Sequence, residues 1–277
     1  MTINYNIIKY LKNNIKLIDN AFDDRDFEIL VRYSFDNIQG MDVEDISKEL
    51  YNINILKFAV RRRILKEPIS HIINLRKFWN SSFFINNNVL DPRPESELIV
   101  EKVLEFSGTN SSIIDLGTGS GCLAISIALE RPNFKIFASD ISNDALKIAE
   151  INSRFYKTKI TFIKSDWFSK INRTFDIIIA NPPYISENEY NNLPVSIRRF
   201  EPKIALTAGL NGLDSFKKII KELHKYLNPS GMIFMEIGYN QKKQIEALFI
   251  KHGYQNINFF RDLSGTPRVV CVKKDAI

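Results

Sequence analysis

Two hydrophobic periods divide this chain. In its first quarter, apolar residues recur every three or four positions, and Ile7, Ile8, Leu11, Ile15 and Ile18 fall at helical spacing. Asp23 or Asp24 stands where a second helix is capped, with Phe27, Leu30, Val31 and Ser34 on one face. Gly40 breaks that helix. Asp42 opens a third piece through Val43, Ile46 and Leu50. A fourth covers about 54–66, with Leu56, Ala59, Val60, Ile64 and Leu65 inward, and Pro68 ends it. Residues 1–72 are thus expected to form a small helical bundle. Phe78, Trp79, Phe83, Phe84, Ile85 and Val89 then predict a hairpin, with Asn86-Asn87-Asn88 as its turn. This hairpin, residues 73–90, is expected to link the bundle to a second domain at residues 91–277.

In that second domain the period shortens. The runs 112–116, 135–140, 160–164 and 175–180 are short, rich in β-branched residues and closed by turn-formers, as buried parallel strands are. Helices are predicted between them, opening near Ser96, Cys122 and Asp144, and again over 215–227 and 241–251. A strand is expected at 232–237. The final runs, 257–261 and 269–273, read as a hairpin around Ser264-Gly265-Thr266-Pro267, which adds an antiparallel strand to a parallel sheet. The polar stretch 185–206 is long enough to be a lid or binding loop. Alternating strands and helices predict an α/β domain with an open, Rossmann-like sheet.

Ligands in such sheets sit beyond the carboxyl ends of the strands, and the candidate chemistry lies there. Gly117-Thr118-Gly119-Ser120-Gly121 joins a strand to a helix, and its glycines let the backbone approach a ligand. The loop lacks the Lys and Ser/Thr of a phosphate-cradling loop. Asp115 beside it suits a cationic or zwitterionic ligand, and S-adenosylmethionine fits. Asp140 ends the next strand, about 20–25 residues on, where an acid grips ribose hydroxyls. Asp166 is placed to accept from an adenine amino group, with Trp167 against the ring. The strand 175–180 delivers Asn181-Pro182-Pro183-Tyr184. Asn181 and the Pro182 carbonyl offer fixed acceptors, and Tyr184 offers a flat face, so the four can hold a planar –NH2 group. Read blandly, the tetrapeptide is a strand-ending turn with a packed Tyr, and each acid is a helix cap or a salt-bridge partner. Three acids at successive strand ends make that reading weaker.

Composition narrows the class. Apolar residues make up 44% and charged ones 25%, ordinary for a globular protein of 277 residues. The net charge of +6 allows an acidic partner, but the chain is generally rich in Lys, Asn and Ile. Only Arg61-Arg62-Arg63 clusters, and on a helix such a run is usually a solvated face. No stretch approaches the roughly 20 apolar residues of a membrane span, and the start has no signal-type apolar run. Two cysteines, Cys122 and Cys271, fit a reducing compartment, so a cytoplasmic protein is expected. His71, His224 and His252 lack ligand spacing, so no metal site is expected.

The motifs Asp115 to Gly121, Ser165-Asp166-Trp167 and Asn181-Pro182-Pro183-Tyr184 resemble the release factor glutamine methyltransferases. So do Glu67-Pro68-Ile69-Ser70-His71, Pro92-Arg93-Pro94-Glu95 and Arg199-Phe200-Glu201-Pro202. The resemblance spans about 60–270. It implies a class I S-adenosylmethionine-dependent methyltransferase sheet of seven strands, preceded by a helical substrate-recognition domain. It implies methylation of the glutamine side-chain amide in the Gly-Gly-Gln motif of peptide chain release factors, supporting translation termination. By this likeness Gly117, Thr118, Gly119, Ser120, Gly121, Asp140, Trp167 and Asn181 contact S-adenosyl-L-methionine. Asn181, Pro182, Pro183 and Tyr184 hold the glutamine, with Asn181, Pro182 and Tyr184 catalytic. The expected partner is the release factor, met by a monomer with neither membrane nor nucleic acid required. Asn74, Asp91 and Pro267 depart from the family pattern, which usually has a glycine, an apolar residue and an acid there. The rival readings are a nucleic-acid exocyclic amino (N6-adenine type) methyltransferase, which uses the same tetrapeptide on a flipped base, and a non-enzymatic binding module.

Overall fold

The computed structural model describes Lys12, residues 23–36 and residues 46–274. Ile7, Ile8, Leu11, Ile15 and Ile18, and the expected break at Gly40 with Asp42 and Val43, lie outside the described residues. Those described fall into two compact units: the residues up to Asn74 with Val195–Phe200, and Leu75–Pro194 with Glu201 onward.

The smaller unit holds helices α1 (Asp24–Asp36), α2 (Ile46–Ile64) and α3 (Ile69–Ile72). Phe27 and Leu30 of α1 pack with Leu56, Ala59 and Val60 of α2 and with Ile72. The two helical pieces expected over 46–66 are one helix. Asn52 and Asn54 disfavour a helix interior by only about 0.7 kcal/mol each. The buried face of Ile53, Leu56, Ala59 and Val60 outweighs that. Two of the three clustered arginines are not a solvated face. Arg62 forks onto Glu67 at 2.7 and 2.6 Å and also donates to the His71 and Ile72 carbonyls. Arg63 reaches Asp26 at 2.7 Å.

The larger unit opens with an antiparallel hairpin of β1 (Leu75–Phe78) and β2 (Ser81–Phe84). Its turn is Trp79-Asn80, not the expected Asn86-Asn87-Asn88. Trp79 adopts a left-handed φ of 53°. Glu97 accepts from its backbone N–H at 2.8 Å and Glu130 accepts from its indole at 2.7 Å, which hold that conformation. Asn86 to Val89 forms a separate turn after β2. Phe78 and Phe83 of the hairpin are buried with Ile99, Leu123 and Ile136.

A 3-10 turn (Pro94–Ser96) leads into α4 (Glu97–Phe106). Then follow β3 (Ser112–Leu116), α5 (Cys122–Glu130), β4 (Lys135–Asp140), α6 (Asn143–Phe155), β5 (Ile160–Lys164) and β6 (Phe175–Ala180). The stretch expected as a long loop carries α7 (Glu187–Asn192), α8 (Val195–Phe200) and a 3-10 turn (Lys203–Ala205). The chain continues through α9 (Asp214–Tyr226), β7 (Leu227–Glu236), α10 (Lys242–Lys251), β8 (Ile257–Arg261) and β9 (Pro267–Lys273).

The sheet has seven strands in the order β5-β4-β3-β6-β7-β9-β8. β3 to β7 pair in parallel, and β9 runs antiparallel to both of its neighbours. Period-two alternation sends side chains to both faces. Ile114, Ile178 and Ile233 meet Phe216, Ile219 and Leu223 of α9 on one face. Ile113, Ile177 and Phe234 meet Val100, Val103 and Leu123 on the other. Each isoleucine so buried contributes roughly 1.5–3 kcal/mol. Both faces are covered, which is why these strands read as continuous apolar runs. Strand order reverses between β3 and β6, so a crevice opens beyond their carboxyl ends. No helix among the described residues is long and apolar enough to cross a membrane.

Candidate active site

The glycine loop follows β3 and folds over the end of β4. Gly117 and Thr118 both donate to the Ser139 carbonyl, at 2.8 and 2.9 Å. Gly117, Gly119 and Gly121 all take left-handed φ values, which explains the spacing of the motif. A Cβ on Gly121 would stand 3.0 Å from Ile125 and 3.1 Å from Ala149, so this glycine lets α5 and α6 approach. A Cβ on Gly119 would meet nothing within 4 Å.

Asp115 does not face the ligand side of the loop. It is 1% exposed and accepts from Thr118 Oγ1 at 2.6 Å. Burial pushes its carboxyl up to about 7, against the pull of Thr118 and with help from the charge of Asp140. Asp115 therefore shapes the loop from behind. Cys122, part-buried at the start of α5, has its thiol pushed up to about 12 by burial, which disfavours the thiolate.

A cavity of about 420 Å³ opens at the carboxyl edge of the sheet. Gly117 and Gly119 line it, as do Asp140, Asp166, Trp167, Asn181 and Pro183. Thr118, Ser120, Gly121, Pro182 and Tyr184 adjoin these lining residues in sequence. On other sides are Asn87 to Leu90, from the turn after β2, and Ile204, Thr207 and Lys218. The turn after β2, whose asparagines suggest only a hairpin loop, is thus part of the site. Burial raises the Asp140 carboxyl, while backbone N–H groups of Ser142 and Gly119 pull it down. Trp167 takes a φ of 48°, and its ring lies 3.6 Å from where a Gly117 Cβ would be. Asp166 is 3.8 Å from Lys218.

β6 ends at Ala180, and the two prolines stop the ladder there. Asn181 donates from Nδ2 to Ser96 Oγ at 2.9 Å. Ser96 Oγ donates in a short bond to Glu236 Oε2. Tyr184 Oη donates to Glu236 Oε1 at 3.2 Å, and Gln241 Nε2 donates to the Tyr184 carbonyl at 3.0 Å. The Tyr184 hydroxyl, shielded in this network, is raised by burial and by the Glu236 charge. Glu236 and Gln241 were missed in the sequence. An acid closing the apolar run Met232-Ile233-Phe234-Met235 was the available signal for Glu236.

The neighbouring charged segments are locked. Arg93 donates to both oxygens of Glu201 at 2.7 and 2.8 Å, and Arg76 contacts Asp91 at 3.2 Å. The unusual Asp91 thus arrives with a partner. Asn74, where the resemblance leads one to expect glycine, sits at φ 54°, a conformation Asn tolerates better than most residues.

The cavity matches the expected methyl donor. Its volume is that of a small-molecule site. Acids at Asp140 and Asp166 alternate with apolar walls at Val89, Ile141, Ala145 and Trp167, a pattern suited to a nucleoside carrying a charged tail.

Residues 86–197 match the family described as the methyltransferase small domain. A release factor glutamine methyltransferase of Buchnera aphidicola subsp. Baizongia pistaciae is 36% identical, over 97% of this chain and 98% of its own. One of Thermodesulfovibrio yellowstonii is 39% identical, over 79% of this chain and 81% of its own. Among solved structures, a methyltransferase from Pyrococcus furiosus superposes with a TM-score of 0.54 at 20% identity, covering 70% of this chain and 89% of its own, which bears on fold alone. By sequence, this chain belongs to the release factor glutamine methyltransferase family.

Proposed function

We propose that this chain methylates the side-chain amide nitrogen of the glutamine in the Gly-Gly-Gln motif of peptide chain release factors, with S-adenosyl-L-methionine as donor, and so supports translation termination. One observation carries the reading: the glycine loop after β3 and Asn181 after β6 line one cavity, at the point where strand order reverses. When bound, the donor supplies an electrophilic methyl group on sulfur.

Gly117 and Gly119 give the donor open backbone, and Asp140 and Trp167 grip its ribose and adenine. Thr118, Ser120 and Gly121 hold the loop in shape. A carboxamide nitrogen is a weak nucleophile, because its lone pair is delocalised into the carbonyl. The chain's contribution is position and electrostatics. Asn181 Oδ1 and the Pro182 carbonyl accept the two N–H bonds of the glutamine, which favours a pyramidal nitrogen with its lone pair free. Such orientation contributes up to roughly 7–11 kcal/mol. The same oxygens face the positive charge that develops on nitrogen. Pro183 walls the amide, and Tyr184 secures the tetrapeptide through Glu236.

The N-terminal region, residues 1–72, recognises the release factor, and a cytoplasmic monomer suffices. In the alternative reading, on nucleic acid, Arg61 to Arg63 would be the first phosphate contacts. Arg62 and Arg63 are engaged by Glu67 and Asp26, which favours the protein substrate. The test is transfer of labelled methyl from S-adenosylmethionine to purified release factor, to its Gln→Ala variant, and to bulk DNA and RNA in parallel. Label on the intact factor alone supports the reading. Label on nucleic acid overturns it.

A further inference from the structure

An asparagine amide has nearly the same shape either way round. One end accepts and the other donates. For Asn181 to receive an N–H bond from substrate, something must hold Oδ1 toward the cavity. Nothing in Asn181 itself selects that orientation. A partner with only one polarity to offer can select it.

We propose that Ser96 is a positioning residue for the reaction: its hydroxyl, held by Glu236, fixes the Asn181 amide with Nδ2 inward and Oδ1 facing the cavity. The inference rests on the methyl-transfer reading. A serine hydroxyl has one hydrogen to donate. That hydrogen goes to Glu236 Oε2, so Ser96 Oγ offers Asn181 only a lone pair. Nδ2 must fill it. The second oxygen of Glu236 accepts from Tyr184. Burial raises this carboxyl, and the bonds from Ser96 and Tyr184 and the charge of Arg268 pull it back toward the accepting carboxylate. Ser96 and Glu236 are 2% and 1% exposed, so water does not compete for these bonds.

Ser96 also stands at the N-cap of α4, where a serine side chain normally accepts from a helix N–H. It makes no such bond. Its hydroxyl is turned away from the helix and committed to Glu236 and Asn181. The chain from Glu236 to Ser96 to Asn181 thus sets the polarity of the cavity wall. With the amide reversed, the wall would present N–H groups to a substrate nitrogen that also carries N–H groups, and the two would repel. The relay therefore selects for a donor group such as a carboxamide –NH2.

The side-chain 15N–1H2 signal of Asn181, identified by its loss in Asn181→Ala, reads the orientation directly. In the wild type one of its protons is protected from exchange. Ser96→Ala moves this signal toward that of solvent-exposed asparagines and speeds its exchange. Its kcat on release factor falls roughly 10- to 100-fold, as a misplaced reacting partner requires, with the melting curve still cooperative. Ser96→Thr keeps the hydroxyl and restores both the signal and most of the rate. An unchanged Asn181 signal with unchanged kcat in Ser96→Ala overturns the proposal. If the wild type transfers no methyl to release factor, the methyl-transfer reading falls, and the amide signal still decides whether Ser96 sets the orientation.

Discussion

Gly119 donates its backbone N–H to Asp140 Oδ2 at 2.9 Å, which ties the glycine loop after β3 to the end of β4. Ser142 donates to the other oxygen, also at 2.9 Å. One carboxylate thus holds two turns of the cavity wall. Asp140→Asn keeps the size but turns an –NH2 toward one of the two backbone donors. Losing one charge-assisted bond costs about 1.5–3 kcal/mol, so binding of S-adenosylhomocysteine is expected to weaken roughly 10- to 100-fold. Titration calorimetry measures this. A dissociation constant within twofold of wild type would show that Asp140 contributes nothing to the donor site.

Asn181→Ala is expected to abolish most turnover while sparing the fold. Removing a fixed polar contact to developing charge typically costs about 10²–10³-fold in kcat. The side chain is only part-buried, and the strand ahead of it is held by Ile177, Ile178 and Ile179. Melting temperature should therefore stay near wild type. Single-turnover methyl transfer to release factor is the assay, and a rate near wild type would sink the proposed role of the amide.

Much of this architecture is visible in the sequence, because burial on both faces leaves unbroken apolar runs. Ile177 to Ala180 is such a run, and the prolines after it mark where the ladder must stop. The hairpin was harder. Asn86-Asn87-Asn88 has turn composition, whereas the actual turn places a tryptophan at positive φ. Only the distant acids Glu97 and Glu130 make that conformation stable. The same distinction runs through the site. Gly119, Asp140 and Asn181 stand at strand ends and can be picked out by position. Ser96 and Glu236 are 140 residues apart, and no local pattern announces that they meet. Asp115 misleads for a related reason: a motif gives the loop an acid but does not say which side of the loop it occupies.

Asp115 makes stability depend on pH in an unusual direction. An unfolded aspartate ionises near 3.8, whereas burial puts the folded group at about 7. The folded state thus binds the proton more tightly, and rising pH between those values works against folding. The penalty is absent below 3.8 and complete above about 7. A difference of about three units is worth at most ~4 kcal/mol. Asp115→Asn still offers Thr118 an acceptor and does not ionise. Its stability relative to wild type should therefore rise with pH across this window and level off above it. Urea denaturation at pH 4, 6 and 8 tests the slope, and a flat difference would mean that Asp115 is not the group responsible.

Gly119 and Gly121 belong to one motif, yet their alanine variants should fail differently. Both need a left-handed φ, which costs an L-residue roughly 1–2 kcal/mol. At Gly121 the new methyl also meets Ile125 and Ala149 at 3.0 and 3.1 Å, between two packed helices. Overpacking there adds about 1–3 kcal/mol. At Gly119 the methyl meets no protein atom within 4 Å and projects where the loop borders the cavity. Gly121→Ala should therefore lose the larger share of its stability. Gly119→Ala should stay closer to wild type in melting temperature and lose affinity for S-adenosylhomocysteine. Melting and calorimetry on the same two preparations separate the effects. If Gly119→Ala proved the less stable of the two while binding normally, the assignment of Gly119 to the ligand and Gly121 to helix packing would have to be reversed.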